Sequence, residues 1–126
     1  MSHPSLAAPL ALAALAVPSP AQAGFVHWES PHIHPLERTP DGARLLAVNT
    51  VDARLEVFSL ASGLPVLERS IPVGLEPVSV RARSASEAWV VNHVSDSVSI
   101  VDLAAGHVSV TLMTDDEPCD VVFAPA

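Results

Sequence analysis

The chain has 126 residues, enough for one domain with one sizeable core, so a multi-domain reading needs polypeptide beyond it. Its formal net charge is −8; there is no Lys, and after Arg83 seven acidic residues face no Lys or Arg, which argues against nucleic acid and anionic membranes as partners. A lone cysteine, Cys119, allows no intrachain disulfide, so stability must come from packing.

Residues 1–23 carry no charged side chain, hold an apolar run from Leu6 to Val17, and close on Ala21-Gln22-Ala23. That is the pattern of a secretory signal peptide cut after Ala23, which predicts a periplasmic or secreted protein. A membrane anchor needs about 20 apolar residues. This run is interrupted by Pro9 and ends at Pro18, so no membrane contact is expected once the leader is removed.

Residues 24–34 form an extended N-terminal segment containing "HWESPHIHP". His32 and His34 alternate, so both would point to one side of an extended strand and could bind copper or zinc. Two imidazoles do not complete a metal site, and ordinary polar packing explains them as well. The sequence names no other cofactor, and without a Cys-x-x-Cys-His motif this stretch attaches no c-type haem.

From residue 35 the chain repeats itself. With an offset of 43, Asn49 falls on Asn92, Leu55 on Val98, Val57 on Ile100, Leu60 on Leu103 and Gly63 on Gly106. Further on the offset becomes 41, placing Ile71 on Leu112, Glu76 on Glu117, Pro77 on Pro118 and Val80 on Val121. Pro35, Pro77 and Pro118 punctuate units at 35–76 and 77–117, and 118–126 opens a third with an inner strand.

Within the second unit the apolar runs 78–83, 87–92, 97–103 and 107–112 are separated by short turn segments, and Val108, Val110 and Leu112 alternate with polar residues. Such alternation half-buries a strand. Four short strands per unit of 41 to 43 residues predict an all-β fold of β-propeller blades, each of four antiparallel strands, in an incomplete ring. A single blade cannot hide both faces and must stack on neighbours. Further blades from a longer chain, or self-association, are therefore expected. Asn49 and Asn92 end second strands, Asp102 precedes a turn whose amides it can accept, and Gly63 and Gly106 supply positive φ.

The motifs "LAVN" (46–49), "WVVN" (89–92), "VSIVDLAAG" (98–106), "IPVGLEP" (71–77) and "TPDGARLLAVN" (39–49) resemble the YVTN-type bacterial β-propeller repeats. The resemblance covers about Pro35 to Ala126. It departs at Asp115-Asp116, which stand where the first unit has Gly74-Leu75, and at "RSASEAW" (83–89), which lacks a Pro-Asp-Gly turn.

The repeat aligns His34, Glu76 and Glu117 directly before their prolines. In a propeller these loops open on the same face as those after the second strand, so Asn49, Thr50, Asn92 and His93 would join them there. That face is where a ligand is expected, against the plainer reading of a solvated rim. Asp115, Asp116 and Glu117 lack the spacing of a calcium loop and read as a solvated linker. Cys119 aligns with Val78 and Trp89 with Leu46, which predicts burial for both.

No nucleophile motif, phosphate-cradling loop or His-Glu-x-x-His is present, so no catalytic constellation is visible. Two functions follow. One is a secreted or periplasmic module that binds a protein or small molecule of unknown identity, or serves as a scaffold. The alternative is the N-terminal part of a larger periplasmic redox enzyme with a copper, zinc or haem site on the propeller face, which the family resemblance allows.

Overall fold

The computed structural model describes Met1 and residues 28–124; the leader and its cleavage site lie outside the described residues. All regular structure among them is β. Strands β1 (Leu36–Arg38), β2 (Arg44–Asn49), β3 (Arg54–Ser59) and β4 (Val66–Pro72) form one sheet in that order. Strands β5 (Pro77–Ala82), β6 (Glu87–Asn92), β7 (Ser97–Asp102) and β8 (His107–Met113) form the second. Every neighbouring pair is antiparallel, and the two four-stranded sheets do not close into a ring.

The turns follow from local chemistry. Asp102 Oδ1 accepts the amides of Ala104 (2.9 Å) and Ala105 (2.8 Å), and Gly106 takes φ 77° to complete that turn. Between β1 and β2, Asp41 accepts the Ala43 amide (3.1 Å). The second unit lacks that Asp-Gly turn, and Ser84 replaces it by accepting the amides of Ser86 (3.2 Å) and Glu87 (3.0 Å). An irregularity after Val57 in the β3–β4 pairing recurs after Ile100 in β7–β8, one repeat later.

Period-two alternation decides how the sheets stack. Leu46, Leu55, Val57 and Ile71 of the first sheet are buried against Val80, Ala88, Val90 and Val101 of the second. Each such Val, Leu or Ile side chain contributes about 1.5–3 kcal/mol on burial. Val91 and Val98, of opposite parity to their buried neighbours, look away from the first sheet together with Val78, which shares the parity of Val80 but is turned by the irregularity between Pro77 and Ser79; Val121 and Trp89 pack against them. Because β6 is buried on both faces it reads as a nearly continuous apolar run. Edge strands β4 and β8 are exposed along most of their length.

Residues 118–124, where the sequence places a third unit's first strand, belong to neither sheet. They run beside β5 and anchor by side chains instead: the Phe123 ring meets the Trp89 ring edge-on with centroids 5.4 Å apart. Cys119 is exposed rather than buried, because its repeat partner Val78 lies within a packed sheet and Cys119 does not. Trp89 is only half-buried for a related reason, since no third sheet faces it among the described residues.

Candidate functional site

The loops after β2, β4, β6 and β8 all open at one end of the strands, the turn face. They are tied together by a contact that recurs with the repeat. Thr50, just past β2, donates its hydroxyl to the Pro77 carbonyl (2.8 Å). One unit later His93 Nδ1 lies 3.1 Å from the Pro118 carbonyl. Each unit thus holds the opening proline of the next. The His93 amide also donates to the Glu76 carbonyl (3.0 Å), and His93 Nε2 lies 4.0 Å from Glu117 Oε2.

Glu76 and Glu117 adopt positive φ, 50° and 49°, which a non-glycine residue takes only where its surroundings enforce it. For Glu117 the enforcing contact is its amide bonded to Asp96 Oδ1 (2.9 Å). The structure therefore brings Glu76, His93 and Glu117 together. His34 behaves differently. Its backbone pairs in parallel with Ser79, the Val80 amide donates to its carbonyl (2.9 Å), and its Nε2 lies 2.5 Å from Glu37 Oε2.

Asn49 and Asn92 serve the sheets. Asn92 is fully buried and donates to Ser97 (3.2 Å) and Ser99 (2.9 Å); Asn49 donates to Asp52 (3.0 Å) and Glu56 (3.3 Å). His32 Nε2 lies 2.6 Å from Thr50 Oγ1, so it braces the loop that Thr50 straps down. The two imidazoles have separate partners, and no group of three His, Cys, Asp or Glu side chains able to hold an ion occurs among the described residues. In this arrangement His32 and His34 do not share a partner.

Between the two sheets the turn face is hollowed by a groove of about 350 Å³. Thr50, Val51 and Ala53 after β2, Leu75 and Glu76 after β4, and Val94 after β6 line it, with Trp28 and Glu29 of the N-terminal segment. Ser30 fastens that segment: its amide (3.1 Å) and hydroxyl (2.5 Å) both donate to Glu76 Oε2. Those bonds, the hydroxyl first, lower the Glu76 pKa below the ordinary carboxylate value. A larger hollow of about 470 Å³ lies at the opposite strand ends, lined by the Arg44–Glu68 ion pair (3.1 Å) and by Asp41, whose carboxylate accepts from Thr39 and the Ala43 amide.

A second polar cluster lies on the inner strands. Arg81 donates to both oxygens of Asp120 (3.2 and 2.7 Å), and Ser79 donates to Oδ1 (2.5 Å). Arg81 first, then Ser79, hold the Asp120 carboxyl well below the usual carboxylate range. Sequence reasoning missed this pair and the Ser30–Glu76 clasp. A signal for the first existed: Ser79 and Asp120 are 41 residues apart, one repeat, and so occupy matching places on adjacent inner segments. Ser30 precedes the repeat and offered no such signal.

No protein-family model matches the chain, and no curated protein matches it. Among solved structures, Kuenenia stuttgartiensis hydrazine synthase is similar, with a TM-score of 0.57 and 20% identity over 65% of this chain. The match spans 24% of that chain's length. At this identity the likeness concerns the fold, and with the two stacked four-stranded sheets it defines a β-propeller-like all-β protein.

Proposed function

We propose that the chain is a periplasmic or secreted β-propeller repeat module of the YVTN type, exported on residues 1–23, which binds a partner at its turn face. The observation that carries this reading is the groove between the sheets, where loops of both units and the N-terminal segment converge. Ligand sites in repeat architectures recur where loops meet on a rigid scaffold. The test is amide chemical-shift mapping of the chain against a small-fragment library. Fragments should perturb Thr50, Leu75 and Val94 together; hits confined to the opposite strand ends would reject the assignment.

A second reading, the leading part of a larger periplasmic redox enzyme, draws on the fold shared with a chain named hydrazine synthase. A copper or zinc site of that enzyme built on His32 and His34 requires both to leave their present partners. Calorimetric titration of the parent and of the His32→Ala/His34→Ala double variant tests that site: equal affinities, or no binding to either, remove it.

A further inference from the structure

We infer that the outer edge of β8 pairs antiparallel with the β8 edge of a second copy, joining two second sheets into one about a two-fold axis. The inference is independent of the turn-face reading. Among the described residues β4 and β8 are the outermost strands of their sheets, each with a neighbour on one side only. A strand in that position offers a row of backbone donors and acceptors to any other strand, and natural sheets guard it with charge, proline or a covering group. The β4 edge is guarded in all three ways and the β8 edge in none of them.

Which backbone groups face outward follows from the alternation of bonds in an antiparallel pair. The Val73 amide bonds the Ala53 carbonyl (3.0 Å), one step past the Arg54–Pro72 pair, so Ile71 turns its backbone toward β3 while Ser70 and Pro72 turn theirs outward. Pro72 has no amide to offer, and the Ser70 carbonyl already accepts from Arg54 Nη1 (3.3 Å). Glu68 and Arg69 add charge along the same strand. One repeat later the Thr114 amide bonds the Asp96 carbonyl (2.9 Å), so Val110 and Leu112 bond β7 while Thr111 and Met113 face outward. Here Met113 stands in the place of Pro72, Ser97 in that of Arg54, and Ser109 and Val110 in those of Glu68 and Arg69. The guards of the first unit are absent from the second, whose edge carries no Asp, Glu, Lys or Arg and leaves Met113 74% exposed.

Charge selects the occupant and its direction. β8 runs into Asp115, Asp116 and Glu117, and it starts with His107 at the β7–β8 turn, where Arg69 Nη2 donates to the Ala104 carbonyl (3.2 Å). Asp102, the acid of that turn, is engaged by the Ala104 and Ala105 amides. Two parallel β8 strands would set their acidic ends side by side, whereas antiparallel strands set each acidic end against the Arg69 and His107 of the other copy. Placing Thr111 opposite Thr111 of the second copy, as a bonded pair on the axis, brings Val110 opposite Leu112 and Asp115 opposite His107. Apolar then meets apolar, and acid meets imidazole. An edge that complements itself in this way closes as a dimer. The open sheet faces take no part in it.

Amide exchange on the full chain across a concentration series tests the pairing, with sedimentation velocity alongside. The Thr111 and Met113 amides should exchange freely in the monomer and at least tenfold more slowly in the dimer, while Ser70, the outward amide of β4, stays fast. Met113→Pro, which gives β8 the residue that β4 has there, should weaken the dimer at least tenfold. Ser109→Glu/Val110→Arg should do the same with every backbone amide in place. Bonded antiparallel pairs lie about 5.5 Å apart at Cα, within disulfide reach. Thr111→Cys in a Cys119→Ser background should therefore oxidise to a linked dimer, at least tenfold faster than Val110→Cys in that background. A monomer at millimolar concentration, a dimer whose Thr111 and Met113 amides still exchange freely, or a dissociation constant unchanged in both edge variants would each overturn the inference. Slow exchange of those amides in a monomer would show the chain itself covering the edge and would overturn it as well.

Discussion

Asn49 and Asn92 occupy the same place in two repeats, yet their surroundings give them different weight. Asn92 lies fully buried between the sheets, donating to two buried serines, whereas Asn49 bonds Asp52 and Glu56 on an open face. Removing a buried partner leaves its hydroxyls unsatisfied, at a cost of about 1–3 kcal/mol. Asn92→Ala should therefore lower stability by about that much, and Asn49→Ala by less than about 1 kcal/mol, read from urea midpoints. Asp120 provides a pH test. Its folded pKa is depressed below the ordinary 3.8, so its contribution is present above that value and is lost as pH falls through the folded pKa. Asp120→Asn should cost about 1–2 kcal/mol at pH 7, allowing for partial solvent screening. The difference from the parent should shrink steadily below pH 3.8, and a constant gap down to strong acid would mean that the Arg81 pair is not its source.

At the scale of elements, the junction between sheets depends on the β4–β5 loop. A Cβ on Gly74 would fall 2.6 Å from Asn92 Cγ and closer still to Ser95 Oγ, so the second sheet sits against bare backbone there. Gly74→Ala must push the sheets apart or displace Asn92. Overpacking of this kind costs about 1–3 kcal/mol. Alanine at Gly63, where nothing lies within 4 Å of the added carbon, provides the contrast: its φ of 81° brings backbone strain without disturbing the junction. Amide exchange separates the two. Gly74→Ala should weaken protection in both sheets near the turn face, and Gly63→Ala only around the β3–β4 turn.

At the scale of the whole molecule, each sheet keeps one face without a facing sheet among the described residues. Leu36 and Leu67 of the first sheet and Val110 and Leu112 of the second are exposed. Burying several hundred Å² of such surface at about 25 cal/mol per Å² is comparable with the ~5–15 kcal/mol stability of a domain. The full chain should therefore self-associate at low micromolar concentration. Sedimentation equilibrium checks this: a monodisperse monomer with one cooperative unfolding transition would overturn it. Asp115 and Asp116 set a limit on how copies meet. They stand where Gly74 and Leu75 do in the first unit, so a copy stacked like the second sheet would meet a Cβ and added negative charge near Asp52 and Glu56. Asp115→Gly/Asp116→Leu should then tighten association, and an unchanged dissociation constant would show that copies meet in another register.

The sequence by itself determined the strands, their grouping and the turns that join them. Those depend on short-range physics: two-residue alternation buries one side of each strand, and Asp102 and Gly106 close their turn within a few residues. The repeat also foretold that the loops carrying Glu76, His93 and Glu117 would share one face, because equivalent positions in stacked sheets lie side by side. Only the tertiary structure decided what each position experiences. Leu46 and Trp89 are one repeat apart, and Leu46 is fully buried while Trp89 is half-exposed, because burial depends on what stands opposite. His34 aligned with Glu76 along the chain, but its backbone bonds to β5 carried it to Glu37. The groove likewise had no sequence signature. Trp28, Val51, Leu75 and Val94 come from four separate stretches, and their convergence is set by how two sheets and an N-terminal segment pack, a long-range property that no local pattern records.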